Sequence, residues 1–274
     1  MRRALTLHFL GTGNAHAHEL GSSSAVIEDA GFPLLMIDCG PDSITTYMAA
    51  YENQLPEAIF ITHTHMDHIG GLENLFYRAY FQESYRGKIR LYVPVHLIDI
   101  LQKRLADYPS ILAEGNANFW DCFQLIPVSD SFWHQGLQFS VFPVRHHQYL
   151  SAYGLSLPGI FLFTGDTCPI PEIINSLTCH NEMIFHDAST RSNPSHTCIH
   201  DVWRYYSEQQ LSRTVFYHYE SVEAGNEIEH LGYSIARPGQ SFVLSRPSVT
   251  YWQQQVNNHV VTELKPGPAP RLTR

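Results

Sequence analysis

Four residues with metal-binding side chains lie within six positions, at the end of a predicted buried strand and in the turn that follows it. They are His63, His65, Asp67 and His68, and the continuous apolar run at 58–61 before them is typical of such a strand. Because residues two positions apart in a strand point to the same side, His63 and His65 face one way. A single ion does not accommodate all four groups comfortably. We therefore expect them to be shared between two adjacent divalent ions, with the His-x-His pair on one and the Asp-His pair on the other.

The ligand types indicate which metals to expect. Imidazole and carboxylate groups favour zinc, with manganese or iron as the competing metals. The chain of 274 residues contains 17 histidines, and imidazole is the commonest protein ligand for such ions. A single histidine in a loop would be weak evidence for a metal site. This spacing, placed between a buried strand and a helix that follows Gly70-Gly71, is unlike a chance collection.

The charge balance argues against a long nucleic acid as a partner. Lysine and arginine total 17 against 26 aspartates and glutamates, a formal net charge of −9, whereas proteins that bind long polyanions usually carry a basic surplus. A small anionic substrate remains compatible, because bound dications dominate the local charge of a site.

The number and spacing of the cysteines, and the length of the apolar segments, indicate the cellular compartment. The five cysteines are odd in number and form no C-x-x-C pair, which argues against a disulfide scaffold or a zinc ribbon and favours a reducing cytoplasm. The N-terminal apolar run contains His8 and breaks at Gly11, so it is too short for a signal-peptide core. No apolar stretch approaches the length of a membrane span, and no membrane association is expected.

The order of the elements predicts one layered α/β domain over residues 1–245, followed by a tail at 246–274 that is partly disordered. Strands outnumber helices and come in two batches, each closed by helices. Strands are predicted at 5–11, 23–29, 32–40, 57–65, 88–94, 122–128, 137–144, 159–164, 181–187 and 213–219, and helices at 42–53, 68–81, 95–108 and 202–211.

The histidine motif resembles the signature of a known family. His63-x-His65-x-Asp67-His68 is similar to the signature of the metallo-β-lactamase superfamily. Leu10-Gly11-Thr12-Gly13, together with the serines at 22–24, resembles the N-terminal part of its ribonuclease Z-like and phosphodiesterase branch. The resemblance covers roughly residues 5–245 and implies a four-layer αββα sandwich with a two-metal site at one edge of the sheets.

The resemblance also implies further ligands at defined places. One is a histidine after the strand at 137–144, where His146 is favoured over its neighbour His147. Asp166 ends the next apolar strand in a Gly-Asp pair and is expected to bridge the two ions, and His218 is expected to complete the second site. The predicted ligand set is thus His63, His65, Asp67, His68, His146, Asp166 and His218.

Catalytic groups beyond these ligands are implied by a second segment. Two adjacent ions would lower the pKa of a shared water and give a hydroxide nucleophile near neutral pH. His186-Asp187-Ala188 resembles a segment of the phosphodiesterase branch that precedes the catalytic histidine, here His196, although Asp187 replaces the usual glutamate. We expect His196 to protonate the leaving group and Asp187 to orient it, with Asp67 also counted among the catalytic residues.

This second segment favours phosphodiester hydrolysis, and the remaining sequence favours a small substrate. The protruding basic arm that ribonuclease Z uses for transfer RNA precursors is not recognisable. Residues 70–81 resemble members that hydrolyse cyclic nucleotides. A ribonuclease Z-like endonuclease, or a thioester or lactone hydrolase on the same scaffold, remains the alternative. Similar proteins are commonly homodimers, which the resemblance therefore implies here.

Overall fold

A computed structural model describes residues 5–107, 111–112, 115–179 and 182–244 of the chain. The tail predicted at 246–274, and the domain boundary predicted before it, lie outside the described residues.

Most strands belong to two mixed sheets. The strands are β1 Leu5–Gly11, β2 Ser24–Asp29, β3 Phe32–Ile37, β4 Ala58–Phe60, β5 Ile89–Pro94, β6 Ile111–Leu112, β7 Gly115–Asn116, β8 Phe123–Val128, β9 Ser131–His134, β10 Leu137–Pro143, β11 Tyr153–Leu157, β12 Phe161–Phe163, β13 Met183–Asp187, β14 Thr214–Tyr217, β15 Ser234–Ile235 and β16 Ser241–Leu244. Within the described residues, the first sheet has the order β16-β1-β2-β3-β4-β5-β8, and the second has the order β15-β14-β13-β12-β11-β10-β9. Strands β6 and β7 pair only with each other.

Helices connect and cover the sheets. They are α1 Ser43–Ala50, α2 Met66–Ile69, α3 Gly71–Tyr80, α4 Ile98–Leu101, α5 Pro171–Leu177, α6 Glu208–Leu211 and α7 Val222–His230. Short 3₁₀ segments occupy His18–Leu20, Val95–Leu97, Phe119–Asp121 and Ile199–Arg204, and a π-helical turn occupies Gln102–Ala106.

The two sheets pack face to face through aromatic side chains. The ring of Phe9, on β1 of the first sheet, lies 5.7 Å from that of Phe185 and 5.6 Å from that of Tyr217, both on the second sheet. A further apolar cluster on the second sheet joins Phe216 to Ile174 of α5 and Ile228 of α7. Burying each large side chain contributes about 1.5–3 kcal/mol to the free energy of unfolding. The predicted αββα sandwich is confirmed.

One predicted helix is wrong. Residues 202–211 do not form a continuous helix, because the 3₁₀ segment ends at Arg204 and α6 begins at Glu208. Ser207 separates them, and its hydroxyl accepts a hydrogen bond from the backbone N–H of Gln210, at 3.3 Å. A serine in this position starts a new helix, so the apolar spacing that suggested one helix spans two separate turns.

Parallel pairing brings several loops to one edge of the sandwich. Strands β3 and β4 are parallel in the first sheet, and β12, β13 and β14 are parallel in the second. Strands that run in the same direction present their carboxyl ends at the same edge. The polar residues that follow these strands are therefore gathered where the two sheets meet, and the backbone N–H of Tyr153 on the second sheet donates to Thr62 O there, at 2.9 Å.

Candidate metal centre

The seven predicted ligands come together at this edge, around the carboxylate of Asp166. The Nε2 atoms of four histidines surround Asp166 Oδ2, at 3.2 Å for His218, 3.4 Å for His68, 3.7 Å for His63 and 3.9 Å for His146. Residues from loops after β4, β10, β12 and β14 thus meet at one point. That these residues bind metal remains a prediction. A shared metal centre requires its ligands to converge in this way.

Among the described residues, possible ligands form four overlapping groups. His196 belongs to two of them, and the seven predicted ligands make up the other two. One contains His63, His65 and His146, and the other contains Asp67, His68, Asp166 and His218. Within each group, ligand atoms lie within 4.8 Å of one another. This grouping agrees with the predicted division of the His-x-His pair and the Asp-His pair between two ions. Asp166 lies close to histidines of both groups, as expected for a residue between the two ions.

The structure distinguishes His146 from His147. His146 is buried, its Nδ1 donates to Ser195 O at 3.0 Å, and its Nε2 lies 3.2 Å from Nδ1 of His65. His147 is exposed, and its Nδ1 lies 3.3 Å from the hydroxyl of Ser195. Of the two candidates, the structure brings His146 into the cluster.

The unpaired atoms of the cluster fit a metal centre. Among the described residues, Nε2 of His63, His68 and His218 and Oδ1 of Asp166 are buried and have no hydrogen-bond partner. Unpaired buried polar atoms are rare in folded proteins because each one costs roughly 1–3 kcal/mol. Four of them converging in one cluster is the arrangement that divalent cations satisfy, and nitrogen and carboxylate donors suit zinc.

Asp38, which the sequence analysis did not single out, holds two of the candidate ligands. Its Oδ2 accepts a hydrogen bond from Nδ1 of His68 at 2.8 Å, and the hydroxyl of Thr62 donates to the same oxygen at 2.6 Å. Nδ1 of His63 lies 3.1 Å from the Thr62 hydroxyl. Both imidazoles are thereby turned so that Nε2 faces the cluster, as is usual for carboxylate–histidine–metal arrangements.

Local electrostatics favour a cation. Burial acts to raise the pKa of Asp166, but the imidazoles of His218, His68 and His63 outweigh it and hold that pKa well below its ordinary value. Burial acts to lower the pKa of His68, but the charges of Asp166 and Asp38 raise it well above its ordinary value. The same negative potential attracts a divalent cation, whose binding competes with protons.

The histidines of the other group are held neutral. Burial lowers the pKa of His63 well below its ordinary value, and it lowers the pKa of His65 to about 4. Burial also lowers the pKa of His146. A neutral imidazole keeps a nitrogen lone pair free, which is the form that coordinates a metal.

Tight backbone contacts fix the loops of the cluster. Gly40 lies so close to the loop of the histidine motif that an added Cβ would meet Asp67 O at 2.1 Å. His218 has a φ of +66°, an uncommon value for a residue with a side chain, and its backbone N–H donates to Thr12 O at 2.7 Å. The Gly-Thr-Gly turn recognised in the sequence therefore supports His218 directly.

His196 and Asp187 form a hydrogen-bonded pair beside the cluster. Nδ1 of His196 donates to Asp187 Oδ2 at 2.7 Å, so the shorter side chain of aspartate still reaches it. The ring of His196 lies 4.9 Å from that of His146 and 5.1 Å from that of His218. Burial acts to lower the pKa of His196, but Asp187 raises it to about 9.

The loop that carries His196 is anchored to the end of β14 through Glu220. The backbone N–H of Thr190 lies 3.2 Å from each carboxylate oxygen of Glu220, and the Thr190 hydroxyl donates to the same group. The loop closes on itself where the backbone N–H of Ser189 donates to Thr197 O, at 2.8 Å. Glu220 was not identified from the sequence, because the contact joins segments 30 positions apart.

Comparison with known proteins identifies the family. The family model of the anti-Pycsar protein Apyc1 matches residues 5–242, which is most of the chain. The chain belongs to this family. A relative from Paenibacillus xerothermodurans, named anti-Pycsar protein Apyc1, is 29% identical over 196 residues, covering 67% of this chain and 75% of its own. A relative of the same name from Bacillus phage 010DV004 is 26% identical over 242 residues, covering 80% of this chain and 90% of its own.

Solved structures show that this member of the Apyc1 family has the predicted metallo-β-lactamase fold. The metallo-β-lactamase fold protein YhfI from Bacillus subtilis superposes with a TM-score of 0.68 at 12% identity, over 88% of this chain and 99% of its own. A diphosphatase of the PhnP family superposes with a TM-score of 0.69 at 20% identity, over 87% and 97%. At these identities the likeness shows the fold. No helix within the described residues has the length and apolar character needed to span a membrane.

Proposed function

We propose that this protein is a metal-dependent phosphodiesterase that holds two divalent ions and hydrolyses a small phosphodiester such as a 3′,5′-cyclic nucleotide. The observation that carries the proposal is the hydrogen-bonded pair of His196 and Asp187 beside a cluster of seven candidate ligands. Zinc is the expected metal, with manganese or iron as alternatives. The family name, anti-Pycsar protein, and the resemblance of residues 70–81 to cyclic-nucleotide members support the choice of substrate.

The chain's own residues supply positioning and proton transfer. When bound, the ions supply a water of lowered pKa and neutralise charge on the phosphoryl oxygens. His63, His65 and His146 would hold one ion, Asp67, His68 and His218 the other, and Asp166 would contact both. Asp67 is the less buried of the two carboxylates in the set, with 15% of its side chain exposed against 1% for Asp166, and it lines a cleft beside the cluster. From there it can orient the attacking water.

His196 can complete the reaction by moving a proton. As the water oxygen bonds to phosphorus, the bond from phosphorus to the leaving ester oxygen breaks, and that oxygen needs a proton. Because Nδ1 of His196 is bound to Asp187, Nε2 is the nitrogen that can donate it. A positioned general acid typically contributes on the order of 10²–10⁴-fold to the rate.

Substitution of His196 tests this assignment. With zinc or manganese, we expect the protein to hydrolyse bis-p-nitrophenyl phosphate and at least one 3′,5′-cyclic nucleotide, and to lose activity with a chelator. For the cyclic nucleotide, whose leaving alkoxide needs a proton, His196→Ala should lower kcat on the order of 10²–10⁴-fold while the bound metal stays. The loss should be smaller for bis-p-nitrophenyl phosphate, because p-nitrophenolate leaves without a proton. His200→Ala is the matched control, because His200 lies on the same segment but pairs with Glu227 at 3.0 Å.

Two results would contradict the proposal. One is the absence of turnover for every phosphodiester in the panel, and the other is full activity of the His196→Ala protein on the cyclic nucleotide. Parallel assays with a transfer RNA precursor and with a thioester distinguish the alternative substrates, since preferential turnover of either would replace the small phosphodiester.

Oligomeric state and location complete the proposal. We expect a homodimer, which light scattering coupled to gel filtration measures. We also expect a cytoplasmic location, because an odd number of cysteines without a C-x-x-C pair suits a reducing compartment.

A further inference from the structure

Two clefts border the candidate metal centre, and candidate ligands line each of them. The first, the Asp67-side cleft, has a volume of ≈350 Å³ and is bounded by Asp67 and Met66. The second, the Arg104-side cleft, has a volume of ≈200 Å³ and is bounded by His65, His146 and Arg104. Small-molecule sites usually measure about 300–1,000 Å³, so only the Asp67-side cleft reaches the usual size.

The Asp67-side cleft suits an uncharged, partly apolar group. Ala15, Ala17, Pro41 and Met66 contribute apolar surface, and Met66 is 49% exposed. A methionine thioether packs favourably against a flat aromatic ring. None of the described residues that line this cleft is lysine or arginine.

Carboxylates in the same cleft disfavour an anionic occupant. Asp42 and Asp67 both line it, and although an ion held by Asp67 would neutralise that carboxylate, the negative charge of Asp42 would still repel the phosphate of the substrate. The Arg104-side cleft differs, because the exposed Arg104 lines it and donates from Nη1 to Thr64 O at 2.8 Å. The charge distribution therefore places the neutral half of a phosphodiester substrate on the Asp67 side.

The wall of the Asp67-side cleft is tied to the metal cluster. Asp42 Oδ1 accepts from the backbone N–H of Ser22 at 2.9 Å, and Gly13 N–H donates to Gly21 O at 2.9 Å. Gly21 has a φ of +66°, and an added Cβ would lie 2.8 Å from Asp42 Oδ2. The neighbouring Thr12 O holds the backbone of His218. An occupant of this cleft would thus be held at a fixed position relative to the cluster.

We propose that the Asp67-side cleft binds the nucleoside half of the substrate, with the base against Met66 and the wall formed by Ala15 and Ala17. The ribose then lies next to Asp67, where the cleft joins the metal centre. This assignment rests on the proposed phosphodiesterase function and adds to it the subsite that determines which phosphodiesters are accepted.

A bulky substitution in the cleft tests the proposal against a neighbour outside it. Ala15 and His16 are consecutive and exposed, but only Ala15 lines the cleft. For Ala15→Trp, His16→Trp, Ile100→Trp in the Arg104-side cleft and the unmodified protein, loaded with zinc or manganese, kcat and KM are measured for four 3′,5′-cyclic nucleotides. The same constants are measured for methyl p-nitrophenyl phosphate, a phosphodiester that has no nucleoside. Thermal unfolding of each variant checks that it is folded.

We expect Ala15→Trp to raise KM for cyclic nucleotides about ten-fold or more, equivalent to about 1.4 kcal/mol of binding free energy. The ratio of kcat/KM for the cyclic nucleotide to kcat/KM for methyl p-nitrophenyl phosphate should fall by a similar factor. His16→Trp should leave that ratio unchanged. A fall in this ratio for Ala15→Trp and not for His16→Trp supports the proposal. A general loss of activity would instead lower kcat/KM for both substrates by the same factor and leave the ratio unchanged.

Three outcomes overturn the proposal and are distinguishable. An unchanged ratio for Ala15→Trp in an active, folded protein overturns the subsite and leaves the phosphodiesterase function standing. A fall in the ratio for Ile100→Trp, at the mouth of the Arg104-side cleft, without a fall for Ala15→Trp moves the nucleoside to the other side. Failure of the unmodified protein to hydrolyse either substrate class overturns both proposals.

Discussion

Asp38 shows how one side chain organises residues that are distant in sequence. It follows β3, accepts hydrogen bonds from His68 and Thr62, and has a φ of +59°. A non-glycine residue in this region of φ is strained by roughly 1–3 kcal/mol and persists only where its surroundings hold it. Here the bonds to the loop of the histidine motif hold it, and the strain aims its carboxylate at two candidate ligands.

We expect Asp38→Asn to weaken metal binding by about 10–100-fold, the usual effect of losing a carboxylate behind a ligating histidine. The two oxygens of Asp38 accept from three donors, namely the Thr62 N–H, the Thr62 hydroxyl and His68 Nδ1. An asparagine has one oxygen and one NH₂ group, so its NH₂ group would face at least one of these donors. Competition with a chromophoric chelator measures the affinity. The exposed Asp99, which pairs with Lys103, provides the control Asp99→Asn. Equal affinities for the Asp38→Asn and unmodified proteins would contradict this account of Asp38.

The candidate ligands could be predicted from the sequence at residue level, and their supports could not. The ligands are of a few chemical types and follow apolar strands at recognisable spacings, as His63 and Asp166 do. Asp38 and Glu220 act through contacts that are distant in sequence. Asp38 binds Thr62 and His68, 24 and 30 positions away, and Glu220 binds Thr190, 30 positions away. The one local signal for Asp38 is its place at the end of an apolar strand, a feature that it shares with Asp166.

At the scale of elements, strong local patterns were predicted and weak ones were missed. The antiparallel pairing of β2 with β3 and the helix after the histidine motif follow from hydrophobic spacing and turns. Strand β11 was not predicted, because its sequence YGLSL contains a glycine and a serine and lacks strand propensity. Tertiary contact decides its structure, since an added Cβ on Gly154 would lie 2.3 Å from the ring of Phe142.

The loop carrying His196 gives a prediction at this scale. We expect Glu220→Ala to lower kcat about ten-fold or more, because a misplaced general acid loses much of its effect, with metal content retained. Glu220→Gln should recover part of the loss, since its carbonyl oxygen still accepts from Thr190. Steady-state kinetics with metal analysis of each variant check this.

Glu223→Ala, on the exposed surface of α7, is the control for the Glu220 variants. Unchanged kcat in Glu220→Ala, or an equal loss in Glu220→Ala and Glu220→Gln, would argue that the contact between Glu220 and Thr190 does not position His196.

At the scale of the whole molecule, the candidate ligands come from both sheets. His63 to His68 follow β4 of the first sheet, and His146, Asp166 and His218 follow strands of the second. Ions held between them would link the two halves of the sandwich. Metal binding would then stabilise the folded chain as well as serve the reaction.

Removing the metal should therefore lower the unfolding temperature. An ion present at about 1,000 times its Kd stabilises by about 4 kcal/mol, and 1 kcal/mol shifts Tm by about 2–4 °C in domains of roughly this size. We expect a chelator to lower Tm by about 10 °C, and added zinc to restore it, in differential scanning calorimetry. An equal Tm with and without the chelator would show that the cluster does not link the sheets through metal.

The most direct test is the metal content of the purified protein after dialysis against zinc, measured by mass spectrometry for the unmodified chain and for two variants. We predict two ions per chain in the unmodified protein and in His147→Ala, whose side chain lies outside both ligand groups. Asp166→Ala should lose most of the metal, because Asp166 Oδ2 is the point on which both groups converge. Metal-free unmodified protein, or an Asp166→Ala protein that still binds two ions, would contradict the account.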